Sequence, residues 1–279
     1  MSAAIETKVG FADAGENHFC GHRVRDQLAG KSTWASLMAL AVGAPAIDAA
    51  AAAMIDDAAT CTLAADPRIW PLKVTRLVSS YGGTLAGFCA GHMLLEEAIM
   101  GPWPTSKSAE LLLEIRSALA GDLRPEAVAA WVDGELARGR KLAGFGVPFR
   151  PADERVAALS ECVERRGRSE GPMWSLAMTL DRLLYDRKKV HGNQSLALGA
   201  LFLDLGFTPP QISVLTTAIL DLCFYANAIE EAQLRSPSLR TLPSESVAYV
   251  GRPRVTSPRA LAKKTLDSQS PMLAEPVYR

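Results

Sequence analysis

An all-α fold is what this sequence predicts, and three observations carry that expectation. Apolar residues recur at helical rather than alternate-residue spacing along most of the chain. Pro71, Pro125, Pro151 and Pro210 stand where helices would begin, and Gly121, Gly139, Gly167 and Gly206 where they would end. Residues 46–62, AIDAAAAAMIDDAATCT, are rich in alanine, the residue with the highest helix propensity.

Taken in order, residues 6–24 read as irregular or weakly extended. Ser32 or Thr33 caps a helix that runs to about Val42, where Gly43 stops it. The alanine-rich stretch forms the next helix, and Met54, Ile55 and Leu63 give it an apolar face. Pro71 starts a long helix from Leu72 toward Met100, with Gly82–Gly83 as the break. Further helices fit residues 107–120, 125–138, 152–166, 172–187, 195–205 and 210–234. From 236 to 279 the chain is rich in Ser, Pro and Arg and reads as an extended C-terminal tail, its last residues mobile.

Composition bounds the function. The 279 residues suffice for one large domain or two smaller ones. Lys+Arg and Asp+Glu balance at 30 each, so no global charge draws the protein to nucleic acid or a membrane. The first ten residues lack the apolar stretch of a signal peptide, and no membrane span is expected. Five cysteines without a C-x-x-C pair argue for reduced thiols in a cytoplasmic protein, not for a disulfide framework or a zinc site. No metal is expected: His18 and His22 lie four apart, but Gly21 separates them in a region not read as helical, and no second ligand is at hand for His92.

Four segments then occur in a fixed order. They are GPWP at 101–104, KLAGFGVPFRPADER at 141–155, KKVHGNQSLALGALFLDLGF at 188–207, and SVAYVGRP at 246–253. This arrangement resembles the citrate synthase superfamily, whose members read G-P-L-H-G, then K-x-x-G-F-G-H with D-P-R, then K-K-L-Y-P-N-V-D, then R-P-x-x-x-Y-x-G. The early NHFCGHRVRDQLAGKS is similar to the family's Y-R-G element, and in length the chain is nearer the citryl-CoA lyase-like members. The resemblance implies a citrate synthase-like helical homodimer with a large domain (1–105 and 196–260), a small domain (106–195) that carries the G-F-G loop, and a tail at 261–279.

It also implies a CoA thioester as substrate or ligand, together with a small acyl or keto acid. Lys141, Gly144, Phe145, Gly146, Lys188 and Lys189 would hold the CoA. The glycines would let backbone groups approach it, and the lysines would meet its phosphates as point charges. Arg155, Asn193 and Ser195 fall at substrate-binding positions. The lysines equally suit a solvated helix end, and Arg155 equally suits a pair with Asp153 or Glu154.

The family's chemistry needs a base beside a thioester and a donor for the developing oxyanion. Here the two histidine positions hold Pro104 and Val147, and the aspartate position holds Ser195. The arginine positions that would clamp substrate carboxylates hold Leu220 and Ser244, and an early histidine position aligns with Asp66. Three groups could take over proton transfer. His191, beside the former base, could serve as acid or base; it could instead be a packing residue. Asp221 lies on an apolar helix, where a carboxylate must be paired or perturbed, with Arg76 or Arg182 as possible partners. Asp66, with Arg68 and Lys73 around Trp70, is a relocated acid or a helix-capping aspartate. Two readings stay open. One is a carbon–carbon lyase, condensing enzyme or acyltransferase acting on a substrate other than citrate. The other is an inactive homologue with a binding or regulatory role.

Overall fold

In the computed structural model, residues 5–13, 15–95, 100–148, 150–234, 244–252 and 257–259 are described. Residues 96–99, the expected end of the helix after Gly83, lie outside them. So do Pro253 and the 261–279 tail.

The expected extended segment is a small antiparallel sheet, β1 (Gly10–Ala12), β2 (Asn17–Phe19) and β3 (His22–Arg23), in that order, with Phe11 opposite His18 and His18 opposite Arg23. A single π-helical turn, Val24–Leu28, follows. The remainder is helical: α1 (Trp34–Ala41), α2 (Ala49–Cys61), α3 (Trp70–Ser79), α4 (Thr84–Met93), α5 (Pro102–Ala118), α6 (Pro125–Ala137), α7 (Glu154–Arg165), α8 (Pro172–Lys188), α9 (Gln194–Asp204) and α10 (Pro209–Leu234).

The helix starts are chemically determined. Thr33 and Ser36 cap α1 reciprocally, each side chain accepting from the other's backbone N–H. Asp48 accepts from Ala51 N at 2.7 Å and starts α2. Proline occupies the first turn of α3, α5, α6 and α8, where its missing N–H costs nothing. The break expected at Gly82–Gly83 separates α3 from α4. The two helices then fold back on one another so closely that a Cβ on Gly91 would meet Thr75 Oγ1 at 1.9 Å.

Two apolar clusters hold these helices. The larger takes Ala35 and Ala39 from α1, Met54 and Ile55 from α2, and Leu112 and Ile115 from α5. Val132, Leu159, Leu180, Leu201 and Phe202 join them from α6 to α9, as does Leu215 from α10. Each such aliphatic side chain contributes about 2 kcal/mol by leaving water. The smaller cluster joins Leu72 of α3 and Leu95, just past α4, to Leu220, Cys223 and Phe224 of α10. Helix α10 is long and apolar enough to cross a membrane by length and composition, which the sequence reading did not anticipate. Half of its most apolar window is buried against the other helices, and its role as a core helix accounts for that composition.

Residues 1–238 and 239–279 are separate compact units. In the second, Ser244–Ser246 form one 3-10 turn, and Val247, Tyr249 and Val250 are exposed.

Candidate functional site

Helix α8 ends at Lys189, whose left-handed backbone (φ 56°, ψ 35°) turns the chain out of the helix. Residues 190–193 then run extended into α9. Against them lies the 144–146 loop. Gly146 N donates to His191 O at 2.9 Å, and Asn193 N donates to Gly144 O at 2.8 Å, so Phe145 and Gly192 pair as in an antiparallel sheet. Asn193 Nδ2 adds a third bond, to Gly146 O at 2.9 Å. Two segments that sequence reading singled out separately are thus one structural unit.

This geometry gives Gly144 a reason of its own within the fold. Gly144 has φ +86°, and a Cβ there would lie 2.6 Å from Ser108 Oγ and 2.8 Å from Leu196 Cβ. It is required by the loop's approach to α5 and α9, and its carbonyl is used within the protein. Asn193 also makes framework bonds. Its Oδ1 accepts from Ser195 N at 3.0 Å and caps α9, while its Nδ2 holds the loop, so both polar ends of the side chain serve the framework.

Beside this junction stands His191. Its Nδ1 lies 3.1 Å from Asp181 Oδ1, and Gly192 N donates to the same oxygen at 2.6 Å. The ring stacks on Tyr185 at 4.2 Å and 16°, and Lys189 Nζ sits 4.9 Å from the centre of the Tyr185 ring. With Nδ1–H donating to the carboxylate, Nε2 carries the lone pair, and among the described residues it has no hydrogen-bond partner. The imidazole is about one-third exposed. It is therefore oriented, accessible and able to accept a proton. Asp181 was missed in the sequence, although Asp181, Tyr185 and Lys189 recur every four residues and mark one face of a helix. Lys188, Lys189 and Lys141 are all exposed around this unit.

The head of α9 is anchored from below. Gln194 N donates to Asp153 Oδ2 at 2.9 Å, and Gln194 Nε2 donates to Thr62 Oγ1 at 3.0 Å. Arg155 grips Asp153 through Nε and Nη2, both at 2.8 Å. Burial opposes charge on Asp153, but the Arg155 guanidinium and the N–H groups of Gln194 and Arg155 outweigh it and hold the carboxyl below its ordinary range. Arg155 is thus bound in an ion pair and is not a free carboxylate clamp. Among the described residues only its Nη1 is left without a partner.

The other two candidate acids stand apart. Asp66 accepts four bonds from Arg68, including Arg68 N at 2.8 Å and Nη2 at 2.6 Å. The Arg68 side chain and backbone, with Arg150 nearby, hold its carboxyl down to about 2, which suits a turn and not a general base. Asp221 pairs with neither Arg76 nor Arg182. Arg76 is engaged by Asn227, Glu230 and Glu231. The partner of Asp221 is His92, whose Nε2 lies 2.7 Å from Oδ1. That pair borders a groove of about 590 Å³ lined by Met93, Pro102, Val214 and Thr217.

The replaced positions gather at the loop. Val147 lies in it, half-buried. Ser195 is the second residue of α9, and Pro104 O accepts from Ser108 Oγ at 2.7 Å, the hydroxyl that faces Gly144. The side chain of Ser244 lies outside the described residues.

No protein-family model and no curated protein matches the chain. Solved structures do. Citryl-CoA lyase from Hydrogenobacter thermophilus superposes with a TM-score of 0.76 at 19% identity, over 93% of this chain and 100% of that one. The fold is that of citryl-CoA lyase. The same citrate synthase fold relates the chain to ATP citrate lyase from Methanosaeta concilii, in complex with (3S)-citryl-CoA, with a TM-score of 0.69 at 18% identity. There the match covers 94% of this chain but only 43% of the relative. Citrate synthase from Thermoplasma acidophilum, in a ternary complex with carboxymethyl coenzyme A and oxaloacetate, aligns with a TM-score of 0.55 at 15% identity, over 80% of this chain and 59% of that one.

Proposed function

We propose that this protein is a CoA-thioester-dependent carbon–carbon lyase or condensing enzyme with a rebuilt active site, acting on a substrate other than citrate. The observation that carries the reading is the His191–Asp181 pair, hydrogen-bonded into the same unit as the 144–146 loop. The positions at which the resemblance expects proton-handling side chains hold Pro104, Val147 and Ser195, and this pair is the group that can replace them. Relatives of the same fold bind citryl-CoA or carboxymethyl coenzyme A.

In this reading Asp181 accepts from Nδ1–H and fixes the ring. Nε2 takes the proton next to the thioester carbonyl in the condensing direction and returns it on cleavage. Lys141, Lys188 and Lys189 meet the CoA phosphates, and the hydroxyl of Ser195 faces the acyl or keto partner. Leu220 at a former arginine position suits a less anionic substrate than citrate. The exposed stripe Val214, Leu222, Tyr225 and Ile229 on α10 supports pairing of two copies. Gel filtration with light scattering is expected to give a dimer, and a stable monomer would count against it.

A second reading, a non-catalytic binding protein, draws support from Asp66, Arg155 and Asn193, all of which are committed to framework contacts. Calorimetric titration with CoA, acetyl-CoA and longer acyl-CoAs separates the alternatives. The enzyme reading expects saturable binding, and a turnover that His191→Ala and Asp181→Asn abolish. Binding without turnover supports the second reading. No binding of any CoA species overturns both in their CoA form.

A further inference from the structure

Cys61 and Cys162 are 101 residues apart in sequence, yet their sulfurs lie 3.8 Å from one another, where the end of α2 packs on α7. Among the described residues no other cysteine pair is in such contact, and all five cysteines are free thiols. Arg165 Nη2 donates to Cys162 Sγ at 2.9 Å. Burial, then the hydrogen bond with Cys162, pushes the Cys61 thiol up to about 11. The Cys162 sulfur thus has a guanidinium donor on one side and the Cys61 sulfur on the other. That is the setting in which a sulfur acts as nucleophile and its neighbour as resolving thiol.

We infer that Cys61 and Cys162 form a reversible disulfide site, closed by a hydroperoxide. The Cys162 sulfur attacks one peroxide oxygen. The O–O bond breaks, and the leaving hydroxide takes the Cys162 proton as water. The Cys61 sulfur then attacks the resulting sulfenic acid at sulfur, the S–O bond breaks, and the second hydroxide leaves with the Cys61 proton. Two thiols and one hydrogen peroxide give one disulfide and two waters. An S–S bond is about 2.05 Å, so the sulfurs must approach by roughly 1.7 Å, within reach of side-chain rotation on two adjacent helices.

The position gives the bond a consequence. Thr62, next to Cys61, accepts from Gln194 at the head of α9, and α7 begins beside Asp153, which accepts from the same residue. A bond between α2 and α7 staples the two supports beneath the candidate site. It also closes a loop of about 100 residues, which restricts the unfolded chain strongly.

The test uses the full chain, reduced and then treated with hydrogen peroxide. Non-reducing peptide mapping is expected to show the Cys61–Cys162 linked peptide, lighter by two hydrogens and lost on adding dithiothreitol. The oxidised protein is expected to melt higher by at least about 3 °C. Cys61→Ser and Cys162→Ala are each expected to lose both the linkage and the shift. Oxidation confined to Cys20 or Cys89, or a wild-type protein that shows no linked peptide and no reversible rise in Tm, overturns the inference.

Discussion

Among the described residues two histidine–aspartate pairs occur, and they differ in how their rings are held. In the His191–Asp181 pair one ring nitrogen is tied to the carboxylate and the other has no partner among the described residues, on a ring stacked against a single aromatic face. In the His92–Asp221 pair both nitrogens are engaged, Nδ1 with Phe88 O at 3.0 Å and Nε2 with Asp221 at 2.7 Å. That ring is also wedged between Phe88 and Phe224, at 4.1 and 4.2 Å. Both of its nitrogens face protein acceptors, so neither is open to a substrate. The pairs are alike in composition, and they differ in free valence: one ring keeps an open nitrogen and the other does not.

That contrast can be broken at several points. The largest stability effect is expected at the anchor under the first pair. Asp153→Ala leaves Gln194 N and the Arg155 guanidinium without their partner. Removing one member of such a buried pair costs about 3 kcal/mol in denaturant unfolding. A loss near zero would mean that the head of α9 is held by something else. Next comes His92→Ala, which removes a ring from the α4–α10 contact and is expected to cost about 2 kcal/mol. Turnover per folded molecule should stay at the wild-type level. A loss of turnover would erase the distinction between the pairs. Asn193→Ala, which loses a helix cap and the bond to Gly146 O, should cost about 1–2 kcal/mol.

Acid pH gives a smaller, signed effect. Asp153 has a folded-state pKa below its ordinary 3.8, so its contribution is fully present above that value and is lost as pH falls through the lower one. Asp153→Asn should flatten the acid limb of the stability–pH curve, measured by unfolding between neutral pH and the acid transition. At the foot of the scale, Asp66→Ala removes an exposed pair with Arg68 and should leave the unfolding midpoint unchanged.

The helices were legible because their ends carry explicit chemistry. Thr33, Pro71, Pro125 and Gly206 mark boundaries that the structure reproduces within a few residues. The meeting of the 144–146 loop with 191–193 was not legible, because backbone hydrogen bonds across some 45 positions leave no local signature. The partners of the candidate acids were harder still. Asp221 was matched with an arginine because charge suggests one, but packing on α4 supplies His92. Arg155 and Asn193 looked like ligand-binding groups by position. Their neighbours Asp153, Gly146 and Ser195 absorb them into the framework, which no spacing rule foretells. Cys61 and Cys162 read as scattered thiols until the packing of α2 on α7 brings them together.

Deuterium exchange at the carbon next to the thioester carbonyl is the most direct test, followed by NMR with acetyl-CoA and longer acyl-CoAs in D2O. The account predicts enzyme-dependent exchange with at least one of these thioesters, slowed about 100-fold or more by His191→Gln and left at the wild-type rate by His92→Gln. Exchange that survives His191→Gln undiminished, or a protein that binds the thioester and exchanges none of its protons, would contradict it.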